Sequence, residues 1–188
     1  MQTFPKALQL KSYFKFSSVV LLLHLSLCGF AQEHQQQYFP PTDSLVVRKL
    51  EKWQDYKFGL LMHWGPYSQW GVVESWSICP EDENWCIRRG PHSGSYFNYL
   101  DAYNNLQTTF NPTQFEPERW AKAAKNAGMK YITLITRHHD GFSMWDTKYS
   151  DFNIMNTPYK KDIVKMFADE CRKQDTKLFL YYSLVDWR

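Results

Sequence analysis

Apolar positions along the chain fall into two alternating rhythms. Between Asp43 and Tyr56, Leu45, Val46, Leu50 and Trp53 recur at helical spacing with Lys49 alongside, and Asp43 or Thr42 supplies a cap, so a first helix is predicted. The run Phe58-Gly59-Leu60-Leu61-Met62-His63 then stops at Trp64-Gly65-Pro66, as a buried strand does when turn residues end it. The helical rhythm returns at Pro117-Glu118, with Trp120, Ala121, Ala124 and Ala127 on one side and Gly128 as the stop. Residues 130–136 (KYITLIT) follow as a β-branched strand. The same unit recurs as a helix over 162–174, with Ile163, Val164, Phe167 and Cys171 inward, and a strand over 178–183. Residues 66–112 show no sustained period apart from a short helix around 96–105. A connection this long inside a compact domain is usually functional or partly disordered.

Strands that are apolar along their whole length are buried on both faces, which predicts an α/β fold with a parallel sheet covered by helices. Three strands are visible. A closed eight-stranded barrel takes about 200 to 250 residues, so the pattern fits either a small open sheet or the opening part of a barrel. In both architectures ligands bind at the carboxyl ends of the strands. Those ends carry His63-Trp64-Gly65, then Thr136-Arg137-His138-His139-Asp140-Gly141, then Tyr181-Tyr182-Ser183-Leu184-Val185-Asp186-Trp187. Imidazoles and phenols orient hydroxyls while an indole face packs on the apolar side of a pyranose, so the three ends together describe a sugar pocket. Plainer readings stand beside it. Adjacent His138 and His139 on a strand point to opposite faces, leaving one in the core and one in the pocket. Asp140 and Asp146 read as turn carboxylates that accept from nearby backbone N–H groups. Tyr181 and Tyr182 also read as ordinary strand aromatics. A metal held by His138, His139 and Asp140 lacks any conventional ligand spacing, so no metal and no other cofactor is expected.

Composition changes this picture in three places. The 188 residues are 44% hydrophobic and 22% charged, within the globular range, while 8 Trp, 12 Tyr and 13 Phe exceed what core packing alone requires. The formal charge of +3 belongs to Lys6, Lys11 and Lys15; taking these from the 22 basic residues leaves 19, equal to the 19 acidic ones. A body without net charge gives no electrostatic reason to bind nucleic acid. The three lysines precede the apolar run Val19-Val20-Leu21-Leu22-Leu23 and end at a small residue, so residues 1–31 are expected to be a signal peptide cleaved after Ala31. The core is too short for a membrane span and is interrupted by His24, and bulky Leu27 disfavours acylation of Cys28. The mature protein is therefore expected to be secreted or periplasmic, or lysosomal in a eukaryote, without stable membrane insertion. Residues 32–42 form a polar, proline-terminated linker. Of the three cysteines left, Cys79 and Cys86 are close enough in sequence for a bridge that spacing alone does not establish, and Cys171 falls on an apolar helix face.

The motifs Lys57-Phe58-Gly59-Leu60-Leu61-Met62-His63-Trp64-Gly65, Phe110-Asn111-Pro112, Ala127-Gly128-Met129-Lys130-Tyr131, Arg137-His138-His139-Asp140-Gly141-Phe142, Trp145-Asp146-Thr147-Lys148-Tyr149-Ser150 and Tyr181-Tyr182-Ser183 with Asp186-Trp187 resemble, in order and spacing, the N-terminal half of the catalytic domain of α-L-fucosidases, glycoside hydrolase family 29. The resemblance implies a (β/α)8 TIM-like barrel of which residues 43–188 supply the first strands and helices only. It implies retaining hydrolysis of terminal α-L-fucose from fucosylated glycans. Carried over residue by residue, His63, His138 and His139 hydrogen-bond fucose hydroxyls and Tyr181 lies near the reacting carbon. The family's Glu-Trp pair appears as Glu74-Ser75-Trp76, with one residue between, and Glu74 and Trp76 join the substrate-binding set. Retaining glycosidases need two carboxyl groups about 5 to 5.5 Å apart. In this family both come from later in the barrel, so nucleophile and acid/base are expected beyond Arg188 and the chain is expected to be truncated. A non-catalytic, lectin-like fucose-binding protein is the alternative.

Overall fold

The computed structural model describes residues 38–80 and 86–188; the expected leader lies outside the described residues. The chain divides into two units, Met1–Val47 and Arg48–Arg188, and the second holds the sheet. Helix α1 (Ser44–Asp55) starts at Asp43, whose carboxylate accepts the Leu45 N–H at 2.7 Å. No residue of α1 is buried, and Leu50 and Trp53 remain exposed. The apolar stripe therefore makes the helix amphipathic without telling what covers it.

Three strands, β1 (Gly59–Met62), β2 (Tyr131–Arg137) and β3 (Lys177–Tyr182), form one parallel sheet in the order β1-β2-β3. Helix α2 (Tyr96–Asn104) belongs to the long first connection, while α3 (Pro117–Asn126) and α4 (Ile163–Lys173) precede β2 and β3. Local chemistry sets the helix ends. Pro117 opens α3 with its φ already helical, and Gly128 leaves it at φ +82°, a conformation that other residues adopt only with strain. The Asp162 carboxylate accepts the Lys165 N–H at 2.7 Å, and Arg172 and Lys173 face the negative end of the α4 dipole. Ala127, expected on the inward side of α3, is the exposed C-cap instead, because the helix has already ended.

The core lies between the helices and one face of the sheet. Ile132 and Leu134 of β2 meet Ala121 and Ala124 of α3 and Ile163, Phe167 and Cys171 of α4, joined by Phe110, Phe115, Phe142 and Met144. Only β2 matches the expectation of burial along the whole strand. Leu61 of β1 and Leu180 of β3 are more than half exposed, since each is an outer strand with a face the described residues leave uncovered. The long connection carries a second core of Tyr67, Ile78, Tyr99, Tyr103 and Leu106. It is built from α2 and 3-10 turns at Pro66–Gln69, Trp76–Ile78 and Asn105–Thr108, so where described it is ordered structure. No disulfide joins Cys79 and Cys86, which are both buried. Cys171 is buried as expected, and burial pushes its thiol up to about 11. Among the described residues no helix is long and apolar enough to cross a membrane.

Phe167 is fully buried beside the rings of Phe115 and Trp120 at 6.1 and 6.4 Å. Phe167→Ala should destabilise the fold by about 3–5 kcal/mol, read from urea denaturation, whereas a loss below about 1 kcal/mol would mean that α4 is not packed as described.

Candidate functional site

Parallel pairing of neighbouring strands brings their C-terminal ends to one rim. The residue after β1 is His63, those after β2 are His138 and His139, and β3 contributes Tyr181 with Ser183 following. The ring of His63 lies 5.9 Å from that of His138 and 6.3 Å from that of Tyr181, and the His138 and Tyr181 rings stack at 5.8 Å. His138 and His139 do not diverge to opposite faces as strict alternation predicts: their ring centroids are 4.2 Å apart. The register between β2 and β3 slips at Ile135 and Arg137, and β2 ends before the pair, so the two-residue alternation no longer applies.

The tripeptide Glu74-Ser75-Trp76 sits over this rim, and each residue meets a different histidine. Glu74 Oε1 is 3.8 Å from His63 Nε2, Ser75 Oγ is 2.5 Å from His138 Nδ1, and the Trp76 ring stands edge-on to His139 at 5.3 Å. The residue separating Glu74 from Trp76 thus has a partner of its own. Glu74 takes a positive φ of 41°, a conformation disfavoured for a non-glycine residue and found most often where surrounding contacts hold a functional site.

A strap formed by residues 183–187 closes the other side. The Arg137 guanidinium donates to Ser183 O at 2.6 Å and to Asp186 Oδ2 at 2.5 Å, and the Trp187 N–H donates to His139 O at 2.8 Å. This sets the Trp187 ring 4.5 Å from His139 and 4.9 Å from Trp76. Gly141 permits the approach: its φ is +75°, and a Cβ there would stand 2.6 Å from Asp186 Oδ2. Ser183 Oγ is 2.6 Å from His139 Nδ1.

Burial dominates the electrostatics. His138, only 4% exposed, is held down to about 4 by desolvation, then by the neighbouring charges of His139 and His63. Burial lowers His139 as well, with Glu74 working against it. Both rings are therefore neutral near pH 7 and offer one donor and one acceptor nitrogen each. Asp140 is buried and rises to about 6 through desolvation, opposed by the Tyr103 hydroxyl at 2.7 Å, the Phe142 N–H at 3.0 Å and Arg137. It is a turn carboxylate with a buried phenol partner. Burial and the carboxylates of Asp140 and Glu74 raise Tyr67, whose hydroxyl is buried without a partner among the described residues. Asp146 and Tyr182 are exposed away from this cluster, Asp146 taking its contact from Asp162. Among the described residues no three His, Cys, Asp or Glu side chains group so as to hold one metal ion.

The structure thus brings together His63, Glu74, Trp76, His138, His139 and Tyr181. It adds Ser75, Tyr67 and the Tyr103–Asp140 pair, which strand-end reasoning does not reach because they arrive from the aperiodic connection. The one signal for Ser75 was its intrusion between Glu74 and Trp76.

The His138 and Asp140 shifts act on stability in opposite directions. His138 titrates near 4 when folded and near 6.5 when unfolded, so its contribution is complete above about 6.5 and is lost as the pH falls toward 4. Asp140 titrates near 6 when folded and 3.8 when unfolded, so acidification through that window favours the fold. Asp140→Asn removes the second effect, and its urea midpoint should fall further than wild type between pH 6.5 and 4. Equal losses would contradict the buried carboxyl.

Comparison with known proteins follows from here. The sequence profile of the family described as "Alpha-L-fucosidase" matches residues 26–188. An α-L-fucosidase of Branchiostoma floridae is 33% identical over 178 residues, 89% of this chain and 38% of its own length. The tissue α-L-fucosidase of Rattus norvegicus is 31% identical over 181 residues, 92% of this chain and 37% of its own. The chain therefore spans under two fifths of the length of the curated relatives it matches. Among solved structures, a glycoside hydrolase family 29 α-L-fucosidase of Bacteroides thetaiotaomicron, trapped as a covalent intermediate with 2-fluoro-fucosyl fluoride, superposes with a TM-score of 0.61 at 28% identity. The match covers 81% of this chain and 32% of that one.

Proposed function

Since this chain belongs to the α-L-fucosidase family, we propose that it carries the fucose-recognising rim of a retaining α-L-fucosidase, on the first strands and helices of a (β/α)8 barrel. One observation carries the reading: His63, His138, His139 and Tyr181, from three different strand ends, lie within about 6 Å ring to ring in a single cluster walled by Trp76 and Trp187. Neutral imidazoles suit a neutral, hydroxyl-rich ligand, since their nitrogens hydrogen-bond without requiring a countercharge. The indoles offer a flat apolar surface to the less polar face of the sugar. The substrate is a fucosylated glycan. The protein works after export, in secreted or periplasmic form or in a lysosome, as the basic-then-apolar leader supports.

The rim supplies recognition more readily than bond cleavage. A retaining mechanism needs a carboxylate nucleophile and a carboxyl acid/base, both reaching the anomeric centre. Asp140 is committed to Tyr103 and Phe142, and Asp186 to Arg137, which leaves Glu74 as the carboxylate beside the imidazoles. The catalytic pair is accordingly assigned to residues outside these 188. The same observation favours a second reading, a non-catalytic fucose-binding protein built on this rim.

Calorimetry with L-fucose, and hydrolysis of an aryl α-L-fucoside, test both on the chain itself. Saturable binding without turnover is expected, and His139→Ala should weaken it about tenfold, the loss of one or two hydrogen bonds of roughly 0.5–1.5 kcal/mol each. Turnover with covalent labelling of a residue within the chain would overturn the placement of the catalysts. Absence of binding would overturn the recognition role.

A further inference from the structure

The two adjacent imidazoles are held by different hydroxyls, and proton counting distinguishes what each presents. We infer that Ser75 and Ser183 are positioning residues that lock His138 and His139 into opposite tautomers, so that His138 shows an N–H at Nε2 while His139 shows a bare lone pair at Nε2.

The Ser75 hydroxyl is fully buried, and among the described residues its one hydrogen-bond partner is His138 Nδ1. If His138 carried its proton on Nδ1, the Ser75 O–H would be buried with nothing to donate to. With Ser75 donating, the hydroxyl is satisfied, Nδ1 is the acceptor and the ring proton sits on Nε2. Ser183 is placed differently. Its Oγ lies 3.1 Å from the Val185 carbonyl, to which it donates, as well as 2.6 Å from His139 Nδ1. A hydroxyl has a single proton. Giving it to Val185 O leaves Oγ to accept from His139 Nδ1–H, which makes two hydrogen bonds. Giving it to Nδ1 makes one and leaves that bond to Val185 unmade. The arrangement with both bonds puts the His139 proton on Nδ1. Neutrality of both rings near pH 7 keeps the distinction in place, because a protonated imidazole would donate from both nitrogens.

The consequence for the ligand rests on the fucose reading above. A hydroxyl at His138 must accept a hydrogen bond and one at His139 must donate one. Two neutral rings only 4.2 Å apart therefore discriminate donors from acceptors along the sugar edge. An acceptor-only substituent such as fluorine satisfies the first position and fails at the second.

Long-range 1H–15N correlation spectra of the histidine rings in the 15N-labelled full chain test this without any ligand. They are recorded in solution or, on sedimented hydrated protein, by magic-angle spinning. The expected patterns are Nε2-protonated for His138 and Nδ1-protonated for His139. Ser183→Ala should return His139 to the Nε2-protonated form that free imidazoles favour and leave the His138 pattern unmoved, an independence that general loss of structure would not give. The same tautomer on both rings, the reverse assignment, or a Ser183→Ala spectrum with His139 unchanged would overturn the inference. A parallel L-fucose titration separates the two ideas: assigned tautomers with no fucose bound leave this inference standing and refute the fucose reading, whereas fucose binding with identical tautomers does the opposite.

Discussion

Because β1 and β3 both pair parallel with β2, their hydrogen-bond ladders end at one level, and whatever follows each strand is delivered to the same rim. Every other feature of the site builds on that pairing. Met62 sits opposite Leu134, and Ile135 opposite Tyr181, so His63 and Tyr181 flank the end of β2 from either side. An antiparallel strand in any of the three positions would carry its residues to the far end of the sheet. The core beneath β2, with Phe167 and its neighbours, holds the ladder in place from the helical face.

The rim then departs from regular structure in ways that serve its chemistry. The slip at the end of β2 lets two consecutive histidines lie side by side, and Gly141 lets the residues after β3 fold back over them. Glu74-Ser75-Trp76 comes from a different part of the chain, and its three residues address three histidines. Burial keeps the rings neutral, and the serines orient them. The result is a set of polar groups held in fixed roles and ready for a neutral ligand, in which ordering has been achieved during folding and not at the moment of binding.

Much of this was legible in the chain. The change from period-free apolar runs to helical spacing located β2, α3, α4 and β3 to within a residue or two, because caps such as Asp162 and stops such as Gly128 leave local marks. The three strand ends likewise named His63, His138, His139 and Tyr181 before their proximity was seen. Three things were not legible. Apolar runs in β1 and β3 do not reveal whether a face is covered, as exposed Leu61 and Leu180 show. The slip that sets His138 beside His139 arises from pairing with β3, a tertiary event without a local signature. Ser75 and Tyr103 come from a segment with no period, so their partners depend on how a long connection folds back.

The central claim is that this cluster holds a single deoxyhexose. A crystal structure of the chain soaked with L-fucose tests it most directly. The account predicts one sugar with hydroxyls within about 3.2 Å of His63, His138 and His139 and its apolar face toward Trp76. A sugar bound elsewhere, with the imidazoles untouched at saturating fucose, would contradict it.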